Sequence, residues 1–256
     1  RPGDFAELIA DLDRMVMPGL SHWQHPRFLG SSPANALRAG MLGDLVSTGL
    51  GVLGLSWQSS PALTEIEEVV TDWVRGMVGL STEWSGVIQD TASTSTLVAL
   101  ICARERVTGY ALTRGGLQAQ PSPLVVYVSG QSHSSVDKAA LLAGFGRDTV
   151  RLVPCDDAYA MRPDALAQAI DDDVAAGRRP MCAVATVGTT STTSSDPVAA
   201  VRAVTRERGV WVHVDAAYGG PAAILPEFRW LLDPAHHADS IVVNPHKWMF
   251  VPVDLS

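Results

Sequence analysis

Four short segments of this 256-residue chain gather side chains that can exchange protons, condense with carbonyl compounds or hold an anion. Asn244-Pro245-His246-Lys247-Trp248 sets a lysine among bulky apolar groups, and Val212-His213-Val214-Asp215-Ala216-Ala217-Tyr218-Gly219-Gly220 ends an apolar run on a carboxylate. Ser129-Gly130-Gln131-Ser132-His133-Ser134-Ser135 carries a histidine among hydroxyls, and Val187-Gly188-Thr189-Thr190-Ser191 is a hydroxyl-rich turn. Each has an ordinary explanation when it stands alone: a solvated lysine, a turn or cap aspartate, a capping histidine, a polar loop. Yet an aspartate at a buried strand end is costly unless it meets a cation or several donors. The lysine is also unusual in its background, because of 19 basic residues only Lys138 and Lys247 are lysines. Lysine can lose its proton and form an imine, whereas arginine stays protonated.

Jointly these residues describe a site for pyridoxal 5'-phosphate (PLP). That cofactor requires an amine to condense with its aldehyde and an acid partner to keep its pyridine nitrogen protonated. It also requires a flat group on one ring face and donors around its phosphate. Lys247, Asp215, His133 and the Ser/Thr clusters supply those parts. The stretch Asp90-Thr91-Ala92-Ser93-Thr94-Ser95-Thr96 opens a predicted helix, and helix N-termini hold phosphate well. As an isolated feature it reads as hydroxyl-rich capping.

The elements that must position these groups follow from periodicity. Ser60 and Pro61 form an N-cap and first-turn proline, with Ile66, Val69, Val70, Trp73, Val74 and Met77 at helical spacing and Gly79 as the stop. Ser32 and Pro33 open a similar stretch with Leu37, Met41, Leu42 and Leu45 on one face, and a third helix is expected over about 93–107. Beyond Pro121 the pattern changes to short β-branched runs at 124–128, 149–153, 182–187, 210–214 and 241–243. These nearly continuous apolar runs suit strands buried on both faces of a mostly parallel sheet. Helical segments at about 134–143, 163–176 and 197–208 alternate with them, which defines an α/β chain. In such sheets ligands sit at the carboxyl ends of the strands, where all four chemical segments fall.

Composition narrows the function classes. The chain is 46% apolar and 18% charged, enough to bury one substantial core, and its net charge of −8 with a pI near 5.3 argues against nucleic acid or an anionic membrane as principal partner. No apolar run approaches the roughly 18–20 residues that span a bilayer. Cys102, Cys155 and Cys182 show no CxxC spacing, so neither zinc nor a disulfide framework is expected, and a reducing cytoplasm is. Arg1 and Ser256 do not read as natural termini, so the chain is expected to be a fragment.

The sequence resembles the group II PLP-dependent amino-acid decarboxylases, closest to the aromatic-L-amino-acid branch. The resemblance rests on HPRFLGSSPA, SWQSSPALTEIEEVVTDW, GVIQDTASTSTLVAL, SGQSHSSVDKA, AMRPDAL, ATVGTTSTTSSDP, VHVDAAYGG and NPHKW, from about residue 4 to the end. It implies a fold-type I large domain, with a mostly parallel seven-stranded sheet and helices on both faces, in an obligate homodimer with active sites at the subunit interface. By the same resemblance Lys247 is the Schiff-base lysine, Asp215 pairs with the pyridinium nitrogen and His133 stacks on the ring. Ala217 and Thr190 flank the ring, while Thr91, Ala92, Ser93, Asn244 and His246 serve the phosphate or its surroundings. Trp23 borders the substrate pocket, and Ser31 and Ser32 stand where aromatic-acting members carry aromatic residues, which implies a wider or more polar pocket.

The family pattern also divides the chain into an N-terminal helical segment, 1–80, and a PLP-binding large domain, 81–256. It leads one to expect that a mobile catalytic loop and a C-terminal small domain come from a second polypeptide. The implied activity is decarboxylation of an L-amino acid, aromatic in the first instance, to the amine and carbon dioxide. Decarboxylation of acidic amino acids and aldehyde formation are the alternatives within the fold, with a histidine at 133 leaning towards decarboxylation. A non-catalytic PLP-binding fragment that needs a second chain is the alternative of another class.

Overall fold

The computed structural model describes residues 3–30 and 36–256. Three helices lead into the core: α1 (Phe5–Asp11), α2 (Arg38–Leu50) and α3 (Pro61–Val78). The third has the expected ends, for the Ser60 hydroxyl accepts the Leu63 N–H and Gly79 closes it in the left-handed region at φ 84°. The second begins later than its capping signal suggests; Ser32 and Pro33 lie outside the described residues. Leu37 is extended and its N–H donates to the Phe250 carbonyl at 3.0 Å, so a long-range bond replaces the first helical turn.

From α4 (Ala92–Thr108) onward strands and helices alternate: β1 (Leu124–Ser129), α5 (Ser135–Leu142), β2 (Val150–Val153), α6 (Pro163–Ala175), β3 (Arg179–Thr186), α7 (Val198–Arg206), β4 (Trp211–Asp215), β5 (Ser240–Val242) and the one-turn α8 (Pro245–Trp248). Among the described residues all strand pairs are parallel, in the order β2-β1-β3-β4-β5. The chain steps outward from β1 to β2 and then returns to β1's other side with β3. Ligand crevices form outside the carboxyl ends of the strands at such a reversal.

The expected seven strands are corrected to five among the described residues. A strand needs a laddered neighbour, and the extended run near Gln89 has only the reciprocal backbone pair of Gln89 with Ser256, at 2.8 and 2.9 Å. Two apolar cores cover the two faces of the sheet. On one, Val125, Ala183, Ala185 and Val214 meet Leu166 and Ile170 of α6 and Val201 of α7. On the other, Val126, Val128 and Val184 meet Leu100 and Ala103 of α4 and Val136 and Ala139 of α5.

One buried charge cluster ties α6 to this sheet. Asp173 is 2% exposed and accepts from Arg151 at 2.9 Å, Arg178 at 2.8 Å and the Tyr127 hydroxyl at 3.1 Å. Burial pushes its pKa up, but the two guanidinium groups and the phenol outweigh that and hold it below the usual carboxylate value. A depressed folded-state pKa contributes stability above the unfolded value of about 3.9, and that contribution is lost as pH falls through the folded value. Asp173→Ala is therefore expected to cost about 1–3 kcal/mol near neutrality, since the partly exposed Arg151 and Arg178 can turn to solvent, and less in acid, checked by urea melts across pH.

Candidate active site

The carboxyl ends of β1, β3, β4 and β5 and the N-terminus of α4 converge on a cavity of about 200 Å³. Lys247, Asp215 and His133 all lie on its lining, as do Thr91, Ala92 and Ser93 from the start of α4. Thr190 and Ala217 line it from the loops after β3 and β4, and Asn244 and His246 from the loop and turn after β5. Trp23 is not among these residues; it is half exposed and stacks on Phe28 with ring centroids 5.2 Å apart. Ser31 and Ser32 lie outside the described residues. A larger groove of about 520 Å³ runs between α3, α4 and β5, but its walls are chiefly aliphatic (Val70, Val74, Leu80, Val98, Ile241) and contain neither Lys247 nor Asp215.

Lys247 rides on α8, where its N–H bonds the Asn244 carbonyl at 3.1 Å. Burial lowers its pKa from the ordinary lysine value, with the negative charge of Asp215 pulling the other way. The amine is thus neutral, and nucleophilic, at lower pH than a solvated lysine. The neighbouring Trp248 donates its indole N–H to the Tyr218 carbonyl at 2.6 Å and stacks on the Tyr218 ring at 5.6 Å. That pair joins the turn carrying Lys247 to the loop that follows Asp215.

Asp215 ends β4, is 5% exposed and accepts the Ala217 N–H at 3.1 Å through Oδ1. Two residues back on the same face, His213 is buried with Nδ1 2.9 Å from the Ser240 hydroxyl. Desolvation keeps the His213 pKa below the ordinary imidazole value despite the Asp215 charge, so its ring is neutral. The His133 Nδ1 accepts the Ser135 N–H at 3.2 Å and sits 2.8 Å from the Ser135 hydroxyl. A backbone donor on Nδ1 leaves the ring proton on Nε2 and fixes the plane of the imidazole. His246 is held likewise, its Nδ1 accepting the Leu255 N–H at 3.0 Å.

Sequence reasoning missed Thr186, Gly188, Ser135 and Tyr218, which also line the cavity. The signal for Gly188 was its place directly after a strand: it adopts φ 77°, and a Cβ there would lie 2.8 Å from the Gly219 nitrogen. The hydroxyl-rich turn is largely self-satisfied, for Thr189, Thr192 and Ser194 bond one another at 2.7–3.0 Å. Its anchor is Asp196, whose carboxylate takes the Met161 N–H at 2.7 Å and the Thr186 N–H at 2.8 Å. Asp196→Ala would leave two buried donors unpaired, at about 1–3 kcal/mol each. Such a variant is expected to melt several degrees lower, whereas Asp196→Asn, which keeps one acceptor, loses less.

The donor set fits PLP: one amine of lowered basicity, a buried carboxylate, an oriented flat ring and a helix N-terminus of 17 residues behind Thr91. Fold and site together define an α/β domain whose strand ends gather a lysine of lowered basicity, a buried carboxylate and an oriented imidazole on one cavity. The chain belongs to the pyridoxal-dependent decarboxylase family, whose conserved-domain model matches residues 1–256. It is 42% identical to the aromatic-L-amino-acid decarboxylase of Bos taurus, over all of this chain and 54% of that protein. It is 41% identical to the phenylacetaldehyde synthase of Arabidopsis thaliana, over all of this chain and 53% of that protein. The crystal structure of Catharanthus roseus tryptophan decarboxylase with L-tryptophan superposes with a TM-score of 0.93 at 39% identity, over all of this chain and 55% of that one. The chain thus spans about half the length of the curated relatives it matches.

Proposed function

We propose that the full-length protein is a PLP-dependent carboxy-lyase that converts an aromatic L-amino acid into its amine and carbon dioxide. The observation that carries this reading is the convergence of Lys247, Asp215, His133 and the α4 N-terminus on one cavity. Lys247 would hold the cofactor through its amine, Asp215 the proton on the ring nitrogen, and His133 one ring face. Thr91, Ala92 and Ser93 offer first-turn donors to the phosphate, with Asn244 and His246 beside them and Ala217 and Thr190 at the ring's flanks. When bound, PLP supplies an electron sink for the pair released as carbon dioxide departs. Lys247, with its lowered basicity, would also be able to hold or release a proton at its amine nitrogen closer to neutral pH than a solvated lysine does. Asp215 would keep the ring nitrogen protonated, and His133 would keep water from one face.

The same reading takes residues 1–80 as an N-terminal helical segment leading into a PLP-binding large domain, 81–256, in a homodimer. Its support is the apolar surface of the leading helices, with Phe5, Leu8, Leu45, Ile66 and Trp73 all more than half exposed. Trp23, Ser31 and Ser32 would border a substrate pocket completed across that interface. Relatives about twice as long support an activity that needs more than these residues, and intact mass of the purified protein distinguishes one long chain from two. The unpaired cysteines Cys102, Cys155 and Cys182 accord with a cytoplasmic setting.

A second reading, aldehyde formation, is favoured by the phenylacetaldehyde synthase among the relatives. Assays of carbon dioxide, ammonia and peroxide on tryptophan, tyrosine, phenylalanine and glutamate separate the two. Carbon dioxide and amine in equal amounts from an aromatic acid support decarboxylation. Ammonia and peroxide appearing with the carbon dioxide would replace it by the second reading. A cofactor absorbance with no turnover on any acid would mark a binding module.

A further inference from the structure

Thr186 is 3% exposed, lines the cavity, and its hydroxyl has no hydrogen-bond partner. A buried unpaired hydroxyl costs free energy that an isosteric valine would not, so packing alone does not account for a threonine here. Its main chain is pinned in both directions by Asp196, the Thr186 N–H donating to Oδ2 and the Thr186 carbonyl accepting the Asp196 N–H, both at 2.8 Å. Only the side-chain torsion is left to move. In the β3–β4 register Thr186 stands directly opposite Asp215, so both side chains leave the same face of the sheet. Neighbouring strands lie about 4.7–4.9 Å apart, which puts such same-face partners within reach of a hydroxyl–carboxylate bond after a turn about χ1. The Asp215 carboxylate already takes the Ala217 N–H on Oδ1 and can accept further donors.

We infer that the Thr186 hydroxyl is the second donor to Asp215 and aims its carboxylate at the ring nitrogen of the cofactor. Thr186 is thus a positioning residue; the inference rests on the PLP reading above. A hydroxyl that bonds only with the site occupied has a two-sided signature. It weakens the fold of the cofactor-free protein slightly and strengthens the site.

The test is PLP titration of the full-length protein, followed by absorbance, for wild type, Thr186→Val, Thr186→Ser, Asp215→Asn and the Thr186→Val/Asp215→Asn pair. Melting temperatures of the cofactor-free forms complete it. T186V is expected to weaken PLP binding about tenfold, since hydrogen bonds to charged groups fall in that range. T186S should stay close to wild type, and the loss should shrink to near nothing in the D215N background. Cofactor-free T186V should melt at or above the wild-type temperature. The inference is overturned if T186V binds PLP like wild type, if its loss persists undiminished beside D215N, or if its cofactor-free form melts several degrees lower. Wild-type protein that neither binds PLP nor yields a borohydride adduct on Lys247 would instead bring down the parent reading, and this one with it.

Discussion

Lys247→Ala is expected to lower amine formation by the full-length protein about 10³-fold or more, and to abolish the cofactor adduct that borohydride fixes. The lysine lies on the cavity with Asp215 and loses basicity through burial. The chain's other lysine, Lys138, is exposed on α5 and is not part of the cavity lining. Peptide mapping after reduction should therefore recover the label on the segment containing Lys247 alone. Label on Lys138 with turnover retained in K247A would refute the assignment. Lys247→Arg, which keeps the charge but cannot readily form an imine, should fail as fully as alanine. Linkage supplies an independent check on the cofactor-free protein. A lysine whose folded pKa lies below its unfolded value of about 10.4 binds fewer protons when folded, so stability rises with pH between those two values. That rise should be absent from K247A, as measured by denaturant melts at several alkaline pH values.

The second large effect is expected for Asp215→Ala, with turnover falling about 10²–10⁴-fold. The carboxylate is nearly buried, and among the hydrogen bonds of its side chain is the Ala217 N–H on Oδ1. It is therefore held in place near the Lys247 amine, with lone pairs left to accept the proton of a bound pyridinium. Without it the ring nitrogen is easily deprotonated and the electron sink becomes shallow. The cofactor-free variant should nevertheless be at least as stable as wild type, because the desolvation cost of a buried carboxylate has been removed. A large fall in melting temperature of cofactor-free D215A would mean that the carboxylate serves the fold rather than the chemistry.

Much of this architecture was legible because its signals are local. The α3 ends are set by Ser60, Pro61 and Gly79 within the same few residues, and the strands found lie within a residue or two of the apolar runs except at the start of β3. There Arg179 and Pro180 join the ladder although neither favours a strand, because parallel pairing with β1 supplies the bonds. The residues brought together on the cavity were legible for a related reason: each follows directly on a strand end or a helix cap. What stayed hidden depends on pairing between distant segments. That Thr186 faces Asp215 is a fact of register, and that Leu37 is extended rather than helical depends on Phe250. Asp196 lay within a quoted motif, but its two backbone partners come from residues 161 and 186, which no spacing rule connects. The strand count fell short because it was inferred from kinship rather than from runs of residues.

The stack of Trp248 on Tyr218 gives the site an optical handle. The indole adjoins Lys247 in sequence, and its N–H is fixed to the Tyr218 carbonyl at 2.6 Å, so its orientation is set by the chain. PLP held on Lys247 under the proposed function would lie beside this indole, close enough to accept its excitation energy. Emission from Trp248, isolated by subtracting a Trp248→Phe protein, should therefore dim as the site fills. Loading, release and the docking of substrate could then be followed in real time without any added dye.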